Sequence, residues 1–284
     1  MHKTKIGGQP VLRLLLKANE QLRDFVLGAS AGGLMLEQGL HELVAERYGG
    51  TMSVEVESEP GVRSDLLLQQ LEGPAVPEEL LREGGDWART LLSPAPTRLL
   101  QGPADVVVLS LQTEITRALC RHRESGYLVD QPDGQEGWSA EQKRWFAAQF
   151  MPTGLLVAAE FKENYIRLIR VIKAEAGAHV LVVNCSTLDP DDDVNNYHGR
   201  EDTLALRTHR FNLALMEISA REGISIIDVE RLISELGGQL HVLRGMQYSK
   251  SACEEICGEF LRVLADIGFF EKRPLIAQVG RGGM

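Results

Sequence analysis

The chain has 284 residues, of which 44% are hydrophobic and 25% are charged, and its net charge is −10. These proportions are ordinary for a globular protein, and the acidic charge argues against nucleic-acid binding, which needs a concentrated basic surface. The sequence contains no apolar run of 18 residues, so it predicts no membrane-spanning helix.

Short apolar runs alternate with segments of helical period along most of the chain. The runs predict strands at 25–28, 52–56, 106–109, 179–183 and 224–228. Apolar residues at helical spacing predict helices at 36–44, 161–172, 204–218 and 252–267. Continuous apolar strands separated by helices are typical of a parallel sheet covered on both faces. The predicted fold class is therefore α/β, a three-layer α/β/α sandwich with a flavodoxin-like five-stranded parallel sheet and ligands at the strands' carboxyl ends.

One long connection, at about 112–160, breaks this alternation. It contains several glycines and prolines, interleaved with Trp138, Trp145, Phe146 and Phe150. A connection of this length is typical of a lid or a binding insertion. We therefore expect one domain, residues 1–284, with an inserted lid-like region at about 112–160.

The cysteines give no sign of a disulfide framework or a metal site. They lie at Cys120, Cys185, Cys253 and Cys257, without a C-x-x-C pair. Buried free thiols in a reduced, cytoplasmic protein are the expected state. The acidic run at 189–193 is interpreted as a solvated turn rather than a Mg²⁺ or Ca²⁺ site, and no cofactor is predicted.

A glycine-rich stretch follows the first predicted strand. Residues 28–32 read Gly-Ala-Ser-Ala-Gly and match G-x-S-x-G, the pattern of a nucleophile elbow, in which a sharp turn exposes the serine at a helix N-terminus. The same small residues, at 28–33, also suit a phosphate-binding turn for a nucleotide or coenzyme. The motif alone leaves both interpretations open.

Three further segments extend the first interpretation. Residues 59–64 read EPGVRS, residues 105–116 read DVVVLSLQTEIT, and residues 244–249 read RGMQYS. In this order the segments resemble the conserved blocks of the SGNH (GDSL-type) serine hydrolases, over about residues 24–267. The resemblance implies that Ser30 is the nucleophile and Gly61 an oxyanion donor, that Gln112 replaces a glycine and Glu114 the oxyanion-hole asparagine, and that Arg244 and Gln247 replace the catalytic Asp and His.

These replacements affect the chemistry itself. A triad needs a His to take the serine proton and an Asp to orient that His. Gln247 is not a base, Arg244 has the wrong charge, and Glu114 places a negative charge in the oxyanion hole unless it is protonated or turned away. Removing a triad member costs roughly 10⁴ to 10⁶ in rate. An alternative alignment uses His241 as the base, and an ion pair between Arg244 and Glu114 is a further hypothesis.

Two functions follow from the resemblance. The first is an esterase or acyltransferase that acts through Ser30 with an atypical or incomplete triad. The second is a catalytically inactive relative that binds a ligand or a partner protein. The expected ligand is a small molecule, acyl or glycan in nature, with no nucleic acid and no membrane span, and the sequence leaves the oligomeric state open.

Overall fold

The structure is a computed structural model that describes residues 5–6, 9–27, 39–48, 52–73, 75–92, 97–132, 134–190, 196, 198, 202–243 and 246–270. Its strands are β1 (Lys5–Ile6), β2 (Gln9–Ala18), β3 (Ser53–Pro60), β4 (Val106–Ser110), β5 (Ala118–His122), β6 (Leu128–Asp130), β7 (Phe150–Leu155), β8 (His179–Val183), β9 (Ser225–Ile227), β10 (Val242–Leu243) and β11 (Gln247–Tyr248). Its α-helices are α1 (Glu20–Leu27), α2 (Leu40–Tyr48), α3 (Ser64–Glu72), α4 (Glu78–Leu92), α5 (Leu111–Thr116), α6 (Ala140–Gln149), α7 (Ala158–Val171), α8 (Leu204–Glu222), α9 (Val229–Leu236) and α10 (Lys250–Asp266).

The main sheet has five parallel strands in the order β3-β2-β4-β8-β9, with the short β1 antiparallel to β2. The chain begins near the middle of the sheet, at β2, adds β3 on one side, and then continues on the other side. This is the strand order of flavodoxin-like sandwiches, with a change of direction between β2 and β4. The predicted fold class is confirmed.

Helices cover both faces of this sheet, as the alternation along its central strand shows. Leu14 and Leu16 belong to one hydrophobic core, together with side chains of α1, α2, α9 and α10. Leu15 belongs to the other core, with α3, α5, α7 and α8. Because successive side chains of a strand point to opposite faces, one run of leucines contributes to both cores. Within the described residues, no helix is both long and apolar enough to cross a bilayer.

The position of the first strand corrects the sequence prediction. Residues 25–27, predicted as part of a strand, form the end of α1, and the central strand is β2, which nine residues, 19–27, separate from the glycine-rich motif. Leu22 and Val26 are buried one helical turn apart, whereas Leu27 is exposed. Four apolar residues are too few to distinguish the two periods. The predicted strands at 52–56, 106–109, 179–183 and 224–228 are confirmed as β3, β4, β8 and β9.

The region predicted as an insertion contains a small sheet of its own, in the antiparallel order β6-β5-β7, with α6 leading into β7. A third hydrophobic core joins this sheet to α4 and is rich in aromatic rings. In this core Trp87 packs edge-on against Trp138, with ring centroids 4.8 Å apart, and against Trp145 at 5.6 Å. Such contacts stabilise aromatic clusters beyond the burial of area.

Two buried arginines fasten both ends of this small sheet to the sandwich. Arg63 donates to the carbonyl oxygens of Arg117 at 3.3 Å and Gly154 at 2.9 Å. Arg207 donates to the carbonyl oxygens of Ile115 at 3.2 Å and Leu156 at 2.8 Å. The chain therefore enters and leaves the insertion between two charge-assisted contacts, which are stronger than neutral hydrogen bonds.

Candidate functional site

A cavity of about 450 Å³ opens at the carboxyl ends of β2, β3 and β4, the edge at which flavodoxin-like folds bind ligands. We call it the polar cavity. Its lining includes residues from the segment after β2, the segment after β3, helix α5 and strand β11. The side chains and glycine that matter for its chemistry are Asn19, Gly61, Gln112, Thr113 and Gln247.

Asn19 is the first residue after the central strand. Its Nδ2 donates to Oε1 of Gln112, and its Oδ1 accepts from the Ser110 hydroxyl at 3.3 Å. Gln112 stands at the start of α5, directly after β4. Two carboxamides from the ends of neighbouring strands are thus hydrogen-bonded to each other in the lining of the polar cavity.

Gly61 is the first residue after β3, and the structure requires a glycine there. A Cβ at this position would lie 2.6 Å from Oγ1 of Thr113 and 3.1 Å from the carbonyl carbon of Ala18. Thr113 is buried, so it cannot move aside easily. The Gly61 N–H donates to the Ala18 carbonyl at 2.8 Å, which continues the parallel ladder by one residue. That donor is therefore engaged within the protein.

Gln247 is held at the rim of the polar cavity by its neighbours. The preceding residue, Met246, is buried and has φ 60°, in the left-handed region that residues other than glycine rarely adopt. With the Gln21 carboxamide oriented to satisfy both of its ends, its nitrogen donates to the Met246 carbonyl at 3.2 Å and its oxygen accepts from the Tyr248 N–H at 2.6 Å. Strain at Met246 is thus offset by contacts with a residue of α1, which fixes the strand that carries Gln247.

Glu114 is turned away from the polar cavity and is almost completely buried. Its Oε1 accepts the backbone N–H of Ser64 at 2.8 Å, and its Oε2 contacts the Ser64 hydroxyl at 2.9 Å. Burial raises its pKa to about 8, helped by the negative charge of Asp65 and opposed by the hydrogen bonds from Ser64. The carboxyl group is therefore mostly protonated at neutral pH, and it caps helix α3.

Glu59 lies on the other side of the polar cavity and is bound by a cation. Its Oε2 is 2.9 Å from Nζ of the buried Lys17, and its Oε1 accepts the Arg98 N–H at 2.6 Å. Burial raises the pKa of Glu59, but the hydrogen bond from Arg98 and the ion pair with Lys17 outweigh it and hold the pKa below its ordinary value. This carboxylate stays charged at neutral pH.

The other predicted site residues lie elsewhere. Ser30 and Arg244 are outside the described residues, so the predicted Arg244–Glu114 pair is outside them too. His241 contacts the hydroxyls of Ser249 at 2.8 Å and Ser251 at 3.2 Å. The predicted catalytic roles stay predictions.

The described residues that line the polar cavity include no histidine and no cysteine. In the described part of the chain, no group of three or more His, Cys, Asp or Glu side chains is arranged to hold a metal ion. The four cysteines are buried free thiols, and burial raises the pKa of Cys253 and of Cys257 to about 12. These thiols are suited to packing rather than to nucleophilic chemistry.

Asn19 is the site residue that the sequence analysis missed. The sequence does contain a usable signal. Leu12, Leu14 and Leu16 occupy every second position, as on one face of a strand, and Asn19 follows shortly after them. Had 9–18 been recognised as a strand, Asn19 would have been its first residue beyond the carboxyl end, where functional side chains of parallel sheets gather.

No protein-family model matches the chain, and no curated protein matches it. Solved structures do resemble it. They include a lipase/acylhydrolase from Enterococcus faecalis, with 14% identity, coverage of 90% of this chain and 96% of that chain, and a TM-score of 0.47. A member of the lipolytic G-D-S-L family from Veillonella parvula DSM 2008 has 12% identity, coverage of 90% and 98%, and a TM-score of 0.44. An acetyl xylan esterase, AlAXEase, has 10% identity, coverage of 89% and 100%, and a TM-score of 0.47.

The Veillonella parvula protein is named for the G-D-S-L family that the sequence motifs resemble. At these identities and TM-scores the likenesses transfer no activity to this chain, because one fold supports many functions. The fold assignment rests on the strand order and helix layers of this chain itself.

Proposed function

We propose that this chain is a binding protein of SGNH-like architecture, whose polar cavity holds a neutral, hydroxyl-rich small molecule such as a short glycan. The observation that carries the proposal is the joined amide pair of Asn19 and Gln112 at the floor of the polar cavity. The pair lies at the carboxyl end of the central strand, the edge at which flavodoxin-like folds bind ligands.

The chemistry of the polar cavity fits such a ligand. Carboxamides both donate and accept hydrogen bonds, as sugar hydroxyls do, so Asn19, Gln112 and Gln247 offer complementary partners. The charged side chains of the described lining balance, with the carboxylates of Glu20 and Glu59 against the guanidinium groups of Arg23 and Arg117. Glu59 and Arg23 are also paired outside this set, at 2.9 Å to Lys17 and 3.0 Å to Asp24. A neutral polar ligand therefore suits the cavity better than an anion.

Two further observations favour binding over acyl transfer. The Gly61 N–H, the predicted oxyanion donor, is engaged by the Ala18 carbonyl. Glu114, the residue predicted to replace the oxyanion-hole asparagine, caps α3 instead of facing the polar cavity. An oxyanion hole needs donors that point at the place where charge develops, and neither group supplies one in this arrangement.

The test is a titration of the protein with glucose, galactose, xylose and N-acetylglucosamine and their methyl glycosides, followed by saturation-transfer NMR and calorimetry. Asn19→Ala and Gln112→Ala are each expected to weaken the binding about 5- to 10-fold, the effect of one lost hydrogen bond. Gln101→Ala removes an exposed amide outside the polar cavity and is the matched control. The proposal would be overturned if none of the sugars binds, or if neither Asn19→Ala nor Gln112→Ala weakens the binding.

A second candidate is a serine esterase or acyltransferase that acts through Ser30, favoured by the G-x-S-x-G motif at 28–32. A fluorophosphonate probe tests it, since such a probe labels only an activated serine. Labelling of the unmodified protein that disappears in Ser30→Ala would support this candidate, with Ser234→Ala, an exposed position on α9 outside the polar cavity, as the control that retains labelling. An unlabelled protein would exclude it.

A further inference from the structure

A second cavity, of about 370 Å³, adjoins the polar cavity. The two share Pro60, Gly61 and Arg117 in their linings, so they meet along the segment after β3. Beyond this common wall most of the lining side chains are aliphatic, namely Val62, Leu66, Leu91, Leu92, Leu128 and Val129, and the polar side chains there are Gln70, Asp130 and Gln131. We call this space the apolar cavity.

The apolar cavity is built at the junction between the sandwich and the insertion. Leu91 and Leu92 come from the end of α4, and Leu128 and Val129 come from β6. The Gln69 carboxamide fixes β6 here, because its nitrogen donates to the Leu128 carbonyl at 2.9 Å and its oxygen accepts the Leu128 N–H at 2.7 Å. The cavity wall is thus held by hydrogen bonds in the absence of a ligand, as in most small-molecule sites.

We propose that the ligand is a glycoside with an apolar aglycone: the sugar occupies the polar cavity, and an alkyl or aryl group lies in the apolar cavity. This inference rests on the proposed function and specifies its ligand class. A free sugar would leave the apolar cavity to water, which gains little from the leucine and valine side chains that make up most of its described lining. Each methylene that enters such a space strengthens binding about fourfold. The insertion, which supplies part of the wall of the apolar cavity, would therefore favour a glycoside over a free sugar.

The test uses n-alkyl β-D-glucosides from methyl to heptyl, each kept below its micellar concentration, with dissociation constants measured by calorimetry. For the unmodified protein, the dissociation constant is expected to fall about three- to fourfold per methylene over the first several carbons and then to level off as the apolar cavity fills. This series decides the inference on the unmodified protein, whatever the behaviour of any variant.

Variants locate the alkyl chain. Leu91 is half-buried in the cavity lining, so Leu91→Trp is expected to remove the dependence on chain length while leaving the affinity for methyl glucoside unchanged. Arg89→Trp places the same ring on an exposed position of the same helix and is expected to retain the dependence. Circular dichroism verifies that both variants fold.

The outcomes separate the two proposals. A flat series, with methyl glucoside binding that depends on Asn19, overturns the bipartite ligand and leaves the proposed function standing. A dependence on chain length that survives in a folded Leu91→Trp protein also overturns it, because the alkyl chain then binds elsewhere. If no glucoside binds, methyl glucoside included, this inference fails, and the proposed function fails with it when galactose, xylose and N-acetylglucosamine do not bind either.

Discussion

The two sides of the polar cavity each carry a glutamate, fully buried Glu114 and partly buried Glu59, and the two have opposite ionisation at neutral pH. On the β3 side, Glu59 pairs with Lys17 and accepts the Arg98 N–H, and its pKa is lowered. On the α5 side, Glu114 is hydrogen-bonded to the backbone N–H and the hydroxyl of Ser64, and its pKa rises to about 8. Burial of Glu114 outweighs these hydrogen bonds and the charge of nearby Arg63, whereas at Glu59 the Arg98 N–H and Lys17 outweigh burial.

The difference shows that burial alone does not define the role of a carboxyl group. Glu59 is a permanent charge that neutralises Lys17 beside the polar cavity. Glu114 is a neutral hydrogen-bonding group that ties α5 to the start of α3, so it connects two segments that line the polar cavity. The negative charge expected at Glu114 from the sequence is therefore suppressed at neutral pH.

The largest expected effect is on the α5 side, where Glu114 makes the free energy of unfolding depend on pH. Because the folded-state pKa of Glu114 lies above the ordinary 4.5, the folded protein binds the proton more tightly, and its free energy of unfolding falls as pH rises from about 4.5 to about 8. The expected decrease is roughly 4 kcal/mol at most. Urea titrations of the unmodified protein and of Glu114→Gln at pH 5 and pH 8.5 measure it. The Gln variant keeps both contacts with Ser64 but cannot ionise, so its decrease should be smaller by that amount; equal decreases would contradict the assignment.

The β3 side predicts the reverse dependence. Glu59→Gln leaves Lys17 buried without its carboxylate, which is expected to cost about 3 kcal/mol at pH 7. Because the folded-state pKa of Glu59 is lowered, its contribution is present above about pH 4.5 and is lost as pH falls below that value. Chemical denaturation at pH 7 and pH 3.5 tests both statements. Lys17→Met combined with Glu59→Leu should recover most of the loss; if the double variant is as unstable as Glu59→Gln, the buried charge is not the cause.

The smallest expected effect concerns the contact between the two sides. Gly61→Ala is expected to destabilise the protein by about 2 kcal/mol, since the added Cβ overlaps Oγ1 of Thr113. Thr113→Ala removes that oxygen and should recover part of the loss when the two substitutions are combined. A thermal-denaturation cycle gives the coupling energy. Strictly additive losses would show that the two residues do not constrain each other.

Much of the fold could be predicted from the sequence, because several strands are β-branched runs buried on both faces. Residues 106–109 and 179–183 are of this kind, and their positions were correct. The central strand escaped prediction because Arg13 and Lys17 interrupt its apolar pattern. Their charges are matched by Glu55 and Glu59 on the neighbouring β3, at 3.2 Å and 2.9 Å. A pairing between strands about 42 residues apart leaves no local signal.

The candidate site was predictable only in part, for a related reason. The sequence motifs pointed to the segments after β3 and β4 and to the segment before α10, and Gly61, Gln112 and Gln247 do line one cavity. The direction of each side chain depended on packing: Glu114 points to the N-terminus of α3, where Arg63 at the N-cap position supplies no side-chain cap. Spacing along the chain does not determine that choice.

The two arginine anchors at the base of the insertion bear on cooperativity. Arg63 reaches Gly154 across 91 positions in the chain, and Arg207 reaches Ile115 across 92. Both guanidinium groups are buried, so melting the small sheet alone would cost them carbonyl acceptors at the ends of that sheet, although Arg63 keeps Asp65 and Arg207 keeps Asp202. The insertion and the sandwich should therefore unfold in a single transition, and a shortened chain that lacks the insertion should not retain the fold that remains.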